Sequence, residues 1–197
     1  MKWDFGSAQR AYGGASVCGD AVFIGPDEPG LVAVVDGLGH GPEAANAAHA
    51  FVKFVELHRA GPLDATLHEA SRSIAHTRGV AAGLVQLSRS ERTLRFAGVG
   101  NIEVKARCRE AVHPVCASGI VGRPLRRVTV YEYATFPGDT VALMTDGVST
   151  RFELCDLDLR QSAQVLAETI LSRFGKHTDD ATCVVMRCDI DGFASCV

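Results

Sequence analysis

Apolar residues recur along this chain with two different periods, and the periods predict helices and strands in separate groups. In three segments they recur every three to four positions, as do Ala44, Ala48, Phe51 and Val55, which is typical of amphipathic helices. Short apolar or alternating runs bounded by Gly and Pro predict strands. The predicted helices are 42–58, 63–77 and 159–174, and the predicted strands are 16–25, 31–36, 80–88, 93–100, 101–107, 126–134, 139–147 and 181–188.

The order of these elements indicates the fold class. Two strands and two helices come first, followed by a group of five strands, a helix and a last strand. This clustering favours an α+β fold with mostly antiparallel sheets over a doubly wound parallel sheet. Helices in two separate groups fit an α-β-β-α sandwich, in which they cover both outer faces of two stacked sheets. We predict one domain over residues 1–197, because this length and an apolar content of 47% suffice for one sizeable core.

Charge and cysteine content narrow the range of functions. The formal net charge is −3 and no polycationic tail occurs, so we expect neither nucleic acid nor an anionic membrane as a partner. The N-terminus has no apolar signal-peptide core, and no stretch is long enough to span a bilayer, so we expect a cytoplasmic protein. The seven cysteines are odd in number and form no C-x-x-C pair, which argues against a zinc site or a disulfide framework.

Acidic residues adjoin apolar strands at four places, and a glycine stands beside the aspartate at three of them. The positions are Asp20, Asp36, Asp146 and the pair Asp179 and Asp180. No Lys or Arg lies within two residues of any of them, so converging carboxylates would need a divalent cation to offset their repulsion. Carboxylate oxygens and water suit Mg²⁺ or Mn²⁺. Asp-Gly is also a common turn dipeptide, and any one of these aspartates alone is more readily explained as a turn or cap residue.

Seven motifs occur in one fixed order between residues 16 and 187, and together they carry a family resemblance. They are CGDAVF, VVDGLGHG, TRGVAAGLVQL, GVGNIEV, SGIVGRPL, LMTDGVS and DDATCVV. In this order they resemble the metal-dependent protein phosphatases of the type 2C superfamily, and more narrowly the bacterial, SpoIIE-like stress-response branch. The resemblance spans nearly the whole chain. It implies the α-β-β-α sandwich and a site for two Mn²⁺ or Mg²⁺ ions at one end of it.

The resemblance also implies which residues form the site. The metal ligands would be Asp20, Asp36, Asp146 and Asp179, together with the backbone carbonyl of Gly37. Asp36 would bridge both ions and, with Asp146, support catalysis by in-line attack of a metal-bridging hydroxide on phosphorus. The first acid of the DDAT motif is the usual ligand, which favours Asp179 over the aspartate that follows it.

Two features of the wider family are missing. The larger relatives carry a histidine, a candidate general acid, two residues after the bridging aspartate, where this chain has Leu38. His40 lies two residues further on, and we interpret it as a partly exposed loop histidine. The family's phosphate-binding arginine near the N-terminus has no assigned counterpart, because Arg10 is too loosely placed.

Three further features are interpreted as structural. Asn101 sits at a tight turn, where backbone conformation explains it better than catalysis does. Arg78 belongs to the TRG motif and is read as architectural. The small basic cluster of Arg123, Arg126 and Arg127 is read as a solvated face, with an acidic or phosphorylated partner as the alternative.

These observations predict a monomeric, metal-dependent protein serine/threonine phosphatase. By resemblance its substrates would be phosphorylated STAS-domain scaffold proteins of a stressosome-like complex, where it would reset stress signalling. One alternative is a catalytically silent docking module of the same fold, against which four mutually repelling carboxylates argue. A second alternative is a hydrolase of a small phosphoester, and the sequence leaves this possibility open.

Overall fold

A computed structural model describes residues 2–189, which form nine strands and three α-helices. Two short 3₁₀ turns lie at Tyr12–Gly14 and Leu154–Asp156. The helices are α1 (Pro42–Leu57), α2 (Leu63–Ser73) and α3 (Ala163–Phe174). The strands are β1 (Lys2–Arg10), β2 (Asp20–Gly25), β3 (Gly30–Gly37), β4 (Val80–Ser88), β5 (Thr93–Val99), β6 (Glu103–Arg107), β7 (Tyr131–Ala134), β8 (Thr140–Met144) and β9 (Ala181–Asp189).

The strands form two antiparallel sheets that stack face to face. The first sheet has the order β1-β9-β8-β6, and the second has the order β2-β3-β4-β5-β7. Their facing sides bury one apolar cluster, to which the first sheet contributes Leu143 and Met186 and the second contributes Val34 and Phe96. Alternate residues of each strand therefore point into the space between the sheets.

Helices cover the outer faces of both sheets. Phe51 of α1 and Leu67 of α2 belong to a cluster with the outward-facing residues of β3, β4 and β5. On the opposite side, Ile170 of α3 packs with residues of β8 and β9, including Met144 and Val185. The predicted α+β class and the α-β-β-α sandwich of antiparallel sheets are confirmed.

Strand β1 is the element that the hydrophobic pattern did not predict. It pairs with β9 over its whole length, from Lys2 opposite Asp189 to Arg10 opposite Ala181. Its interior holds Gly6, a residue that normally weakens a strand. A Cβ atom at this position would lie 2.2 Å from backbone atoms of Ala163 and Gln164, so the glycine allows α3 to lie directly on β1.

Several predicted boundaries move inward in the structure. The strand predicted for 16–25 begins at Asp20, and the strand predicted for 126–134 is confined to Tyr131–Ala134. The second helix ends at Ser73, because the following residues form a turn. The helix predicted from residue 159 begins at Ala163, where the hydroxyl of Ser162 accepts a hydrogen bond from the N–H of Val165 and caps the first turn.

The cysteines of residues 2–189 lie both in the core and at the surface. No disulfide joins the six cysteines in this range, and Cys183 and Cys188 are buried whereas Cys155 is exposed. Cys196 lies outside the described residues. No helix within residues 2–189 is long and apolar enough to cross a membrane.

Replacing Gly6 tests the close packing of α3 on β1. We expect Gly6→Ala to lower the free energy of unfolding by about 1–3 kcal/mol, because the added methyl group overlaps helix backbone that cannot move aside cheaply. Gly30→Ala is the matched control, since its Cβ would meet nothing closer than 3.4 Å. Urea unfolding of both variants measures the difference. Equal midpoints for the two variants would contradict the packing described here.

Candidate active site

The four predicted ligands lie at one edge of the sandwich, where strands of both sheets begin or end. Asp20 opens β2 and is paired across the sheet with Asp36, near the end of β3. Asp146 lies two residues beyond the end of β8, and Asp179 lies two residues before the start of β9. Because β8 and β9 are antiparallel neighbours, these two ends meet, and the charges of Asp20, Asp146 and Asp179 all act on Asp36.

Hydrogen bonds around Thr145 join the two sheets at this edge. The Thr145 hydroxyl donates to Oδ2 of Asp20 over 2.8 Å, and the same hydroxyl accepts from the backbone N–H of Thr182 at 3.0 Å. Thr145 and Asp20 are 0% and 3% exposed. The first sheet therefore fixes the orientation of a carboxylate that belongs to the second sheet.

Burial and neighbouring negative charge raise the pKa values of these carboxyl groups. The pKa of Asp36 is raised to about 8, first by burial and then by the charges of Asp20, Asp146 and Asp179. Burial also raises the pKa of Asp20 to about 7, although hydrogen bonds from two threonines oppose the shift. The pKa of Asp179 is raised by burial and by Asp146. Carboxyl groups in this condition favour a nearby cation.

A lysine lies beside the carboxylates, which the local sequence did not reveal. The ammonium group of Lys176 donates a hydrogen bond to the backbone carbonyl of Asp146. Its positive charge partly opposes the rise in the pKa of Asp179. Its backbone N–H donates to the carbonyl of Gly147 over 2.7 Å. Arg10 in turn donates to the carbonyl of Lys176 at 2.8 Å, so this arginine helps to hold the lysine segment in place.

Asn101 has a different role from the turn role that its sequence context suggests. The left-handed backbone conformation belongs to the preceding residue, Gly100, whose φ is +95°. The side-chain amide of Asn101 instead donates to Oδ2 of Asp146 over 2.7 Å and also stabilises the charged form of Asp36. Asn101 therefore orients one carboxylate of the site and interacts with a second.

The two aspartates of the DDAT motif differ in burial and in their partners. Asp179 is half-buried and interacts electrostatically with Asp36 and Asp146. Asp180 is 4% exposed, and its Oδ1 accepts a hydrogen bond from the backbone N–H of Tyr12 at 2.8 Å. Its Oδ2 has no hydrogen-bond partner among the described residues. Asp180 therefore ties the β1–β2 connection to the site, and its charge also raises the pKa of Asp20. The charge of Asp179 acts on both Asp20 and Asp36.

Glycines beside the aspartates are required by contacts within the protein backbone. A Cβ at Gly37 would lie 2.1 Å from the carbonyl oxygen of Ala44, the third residue of α1. A Cβ at Gly147 would lie 1.8 Å from the carbonyl oxygen of Asp180. Any side chain at either position would push apart the segments that carry the carboxylates.

Leu38, which stands where larger relatives carry a histidine, and His40 both lie on the loop that follows the Asp-Gly pair. Leu38 is half-buried and donates its backbone N–H to the carbonyl of Gly79 over 3.1 Å. His40 is exposed, and its ring lies 5.5 Å from the ring of Tyr12. The histidine thus packs on the β1–β2 connection, as its interpretation as a loop residue predicts.

The donor atoms at this edge are carboxylate and backbone oxygens, which suit Mg²⁺ or Mn²⁺ better than zinc. Within residues 2–189, no three or more His, Cys, Asp or Glu side chains are positioned closely enough to hold a metal ion among themselves. Mg²⁺ usually keeps several waters and takes only one or two carboxylates from the protein. The residues therefore fit ions whose coordination is completed by water.

Comparisons with known proteins agree with this geometry. The sequence model of the stage II sporulation protein E (SpoIIE) family matches residues 26–189. The phosphoserine phosphatase RsbX of Bacillus subtilis (strain 168) is 25% identical over 177 residues, which cover 87% of this chain and 88% of RsbX.

Two solved structures are similar over nearly their whole length. One is a chain from "The bacterial stressosome: a modular system that has been adapted to control secondary messenger signaling", with 30% identity, a TM-score of 0.90 and coverage of 95% of this chain and 100% of that one. The other is a crystal structure of RsbX in complex with magnesium, with 22% identity, a TM-score of 0.84 and coverage of 93% and 94%.

The family match covers most of the chain, and the two-sheet sandwich is that of the type 2C phosphatases. The family match extends through the segments that carry Asp36, Asp146 and Asp179. The chain therefore belongs to the SpoIIE family and is a protein serine/threonine phosphatase of the 2C type.

Proposed function

We propose that this phosphatase removes phosphate from serine or threonine in STAS-domain scaffold proteins of a stressosome-like complex, and so resets stress signalling. The similarity to RsbX and to a stressosome chain supports this substrate class, because both similarities extend over most of this chain. The observation that carries the proposal is the meeting of four carboxylates from two sheets at one open edge.

We further propose that this edge holds two divalent ions, Mn²⁺ or Mg²⁺. Asp20, Asp36, Asp146 and Asp179 would be the ligands, with the backbone carbonyl of Gly37. Asp36 is the best placed to serve both ions, because the charges of the other three carboxylates all act on it. Bound ions would supply an activated water as nucleophile and would neutralise the oxygens of the phosphoryl group.

The remaining residues act by orienting the ligands. Thr145 fixes the orientation of Asp20 by donating a hydrogen bond to its Oδ2 atom. Asn101 holds Oδ2 of Asp146 in the same way. Lys176 lies at the rim of the active site and donates a hydrogen bond to the carbonyl of Asp146. Its positive charge favours the approach of a phosphoryl group. No side chain is assigned the proton transfer to the leaving serine oxygen.

Asp36→Asn tests the proposed site, because it keeps the side-chain size and removes one charge. We expect Mn²⁺-dependent hydrolysis of p-nitrophenyl phosphate to fall at least about 100-fold, since even outer-shell partners of a metal typically contribute 10–100-fold. EDTA should abolish the wild-type activity. Asp158→Asn is the control, because Asp158 is paired with Arg160 in the segment before α3.

The same proteins test the substrate. Release of inorganic phosphate from a phosphorylated STAS-domain protein should follow the same metal and Asp36 dependence, and should exceed release from AMP or glucose 6-phosphate. Equal or better hydrolysis of the small phosphoesters would contradict a protein substrate. Folded wild-type protein that is inactive in every metal would support the docking-module alternative.

Asp36→Asn should also change stability, in opposite directions without and with metal. In EDTA we expect the variant to melt at a higher temperature than wild type, because folding no longer has to bury the charge of Asp36 or protonate its carboxyl group. Mn²⁺ at 100 times its dissociation constant should stabilise wild type by about 2.7 kcal/mol. Differential scanning fluorimetry measures both effects. Equal stabilisation of the two proteins by Mn²⁺ would show that Asp36 does not bind the metal.

Asn101→Ala tests whether this amide orients the site. Loss of the hydrogen bond to Asp146 should raise the Mn²⁺ concentration needed for half-maximal activity by about 10–100-fold. Titration of phosphatase activity with Mn²⁺ measures the change. A residue that served only the turn would lower the melting temperature and leave the metal requirement unchanged.

A further inference from the structure

A groove lies beside the active-site edge, between the start of α1 and the segment that leads into β4. It encloses about 630 Å³ and is lined by Glu43, Asn46, Ala50, His76, Thr77, Arg78 and Arg123. Its lining holds two arginines and one glutamate and is therefore net positive, although the whole chain carries a net charge of −3. The catalytic carboxylates lie outside the groove, so its charge is opposite to that of the site next to it.

Strand pairing places this groove near the active site and gives an approximate distance between them. Asp36 is paired with Ala81, and the adjoining segment continues the alignment to the hydrogen bond between Leu38 and Gly79. Arg78 precedes Ala81, the strand partner of Asp36, by three residues. At 3.3 Å per residue this separation is roughly 10 Å along the chain. A Cβ at Gly39 would lie 2.9 Å from Nη1 of Arg78, which places the guanidinium over the loop that leaves Asp36.

Arg123 holds the groove segment in shape. Its guanidinium donates to the backbone carbonyls of Ala75, Thr77, Arg78 and Gly122. Arg123 therefore has a structural role, and the interpretation of the basic cluster as a solvated face is corrected for this residue. Arg126 and Arg127 are both exposed and follow Arg123 closely in the chain.

Arg78 is the basic residue of the groove that is free to bind another molecule. Its side chain is 49% exposed, and in residues 2–189 its one ion pair is with Glu43, whose side chain is 68% exposed. An arginine presents five N–H donors, so this pair leaves most of them unused. The exposed carboxylate of Glu43 can also be exchanged for another carboxylate at little cost. The sequence-based view of Arg78 as only architectural is therefore incomplete.

We propose that this groove binds an acidic side chain of the substrate protein, about three residues from the phosphorylated serine or threonine, through Arg78. The inference rests on the proposed function, because it concerns the substrate of the same site. An extended chain advances about 3.3–3.6 Å per residue, so a carboxylate three positions away spans the 10 Å from the active site to Arg78. The substrate carboxylate then replaces Glu43 as the ion-pair partner of Arg78.

Phosphoserine peptides test this directly. Two peptides carry Glu at position −3 or at position +3 relative to the phosphoserine, and matched peptides carry Gln there. With Mn²⁺ and at low salt, wild type should cleave one of the Glu peptides with a kcat/KM about fivefold above its Gln partner. The preference should shrink in high salt.

Three variants locate the source of the preference. Arg78→Gln should bring the Glu-to-Gln ratio close to one, and Glu43→Gln should raise the ratio, because Arg78 is then no longer paired. Arg92→Gln is the matched control and should keep the wild-type ratio, since Arg92 lies in the turn between β4 and β5 at the far end of the sheet. The ratio is taken within each protein, so a general loss of activity cancels.

The possible failures are distinguishable. If wild type hydrolyses neither p-nitrophenyl phosphate nor any peptide, the proposed function fails, and the docking proposal fails with it. If wild type hydrolyses p-nitrophenyl phosphate and treats Glu and Gln peptides alike, the docking proposal alone fails. It is likewise overturned if Arg78→Gln slows all substrates equally and keeps the ratio, because Arg78 would then act on the phosphoryl group. Should Arg78→Gln not fold, an unchanged ratio in Glu43→Gln overturns the proposal.

Discussion

Repulsion between like charges is the constraint that shapes the active-site edge. Asp20, Asp36, Asp146 and Asp179 come from two different sheets, and each raises the free energy of placing the others nearby. A fold can hold such groups together only if other interactions prevent the segments from moving apart. Here those interactions are the hydrogen bond from Thr145 to Asp20 and the full-length pairing of β8 and β9 with their neighbours.

Close backbone contacts supply the rest of the restraint. Gly37 lies against the first turn of α1, and Gly147 lies against the carbonyl of Asp180. A side chain at either glycine would overlap these backbone atoms. Each glycine therefore allows a segment that carries a carboxylate to pack directly against a second element of the fold. The glycines after the aspartates therefore have a structural cause that is independent of any ligand.

The sequence predicts the sandwich and its site well wherever local pattern reflects burial. Apolar runs identified eight of the nine strands of residues 2–189, and the acidic residues at the ends of those strands include the four carboxylates that the structure brings to one edge. The pattern failed at β1, because Gly6 and several polar residues interrupt it, and because its stability comes from β9 and α3. Pairing between distant segments is not encoded in either segment alone.

Roles that depend on distance in space were also invisible in the sequence. Lys176 is three residues from Asp179, and only the loop geometry brings its ammonium group to the carbonyl of Asp146. Asn101 looked like a turn residue, but the neighbouring Gly100 takes the unusual backbone conformation, which leaves the Asn101 amide free to bind Asp146. In both cases the local residue types fit two roles, and tertiary contacts decide between them.

The dispersal of the four aspartates along the chain has a consequence for synthesis in the cell. Asp20 and Asp36 leave the ribosome early, whereas Asp179 and the strand that follows it come near the end of the described chain. Strand β9 lies between β1 and β8, so the first sheet is incomplete until this last segment inserts. Such long-range pairing forms late in folding. A chain without this segment lacks Asp179 and has an incomplete first sheet, so we expect phosphatase activity to appear only after β9 has been made and has inserted.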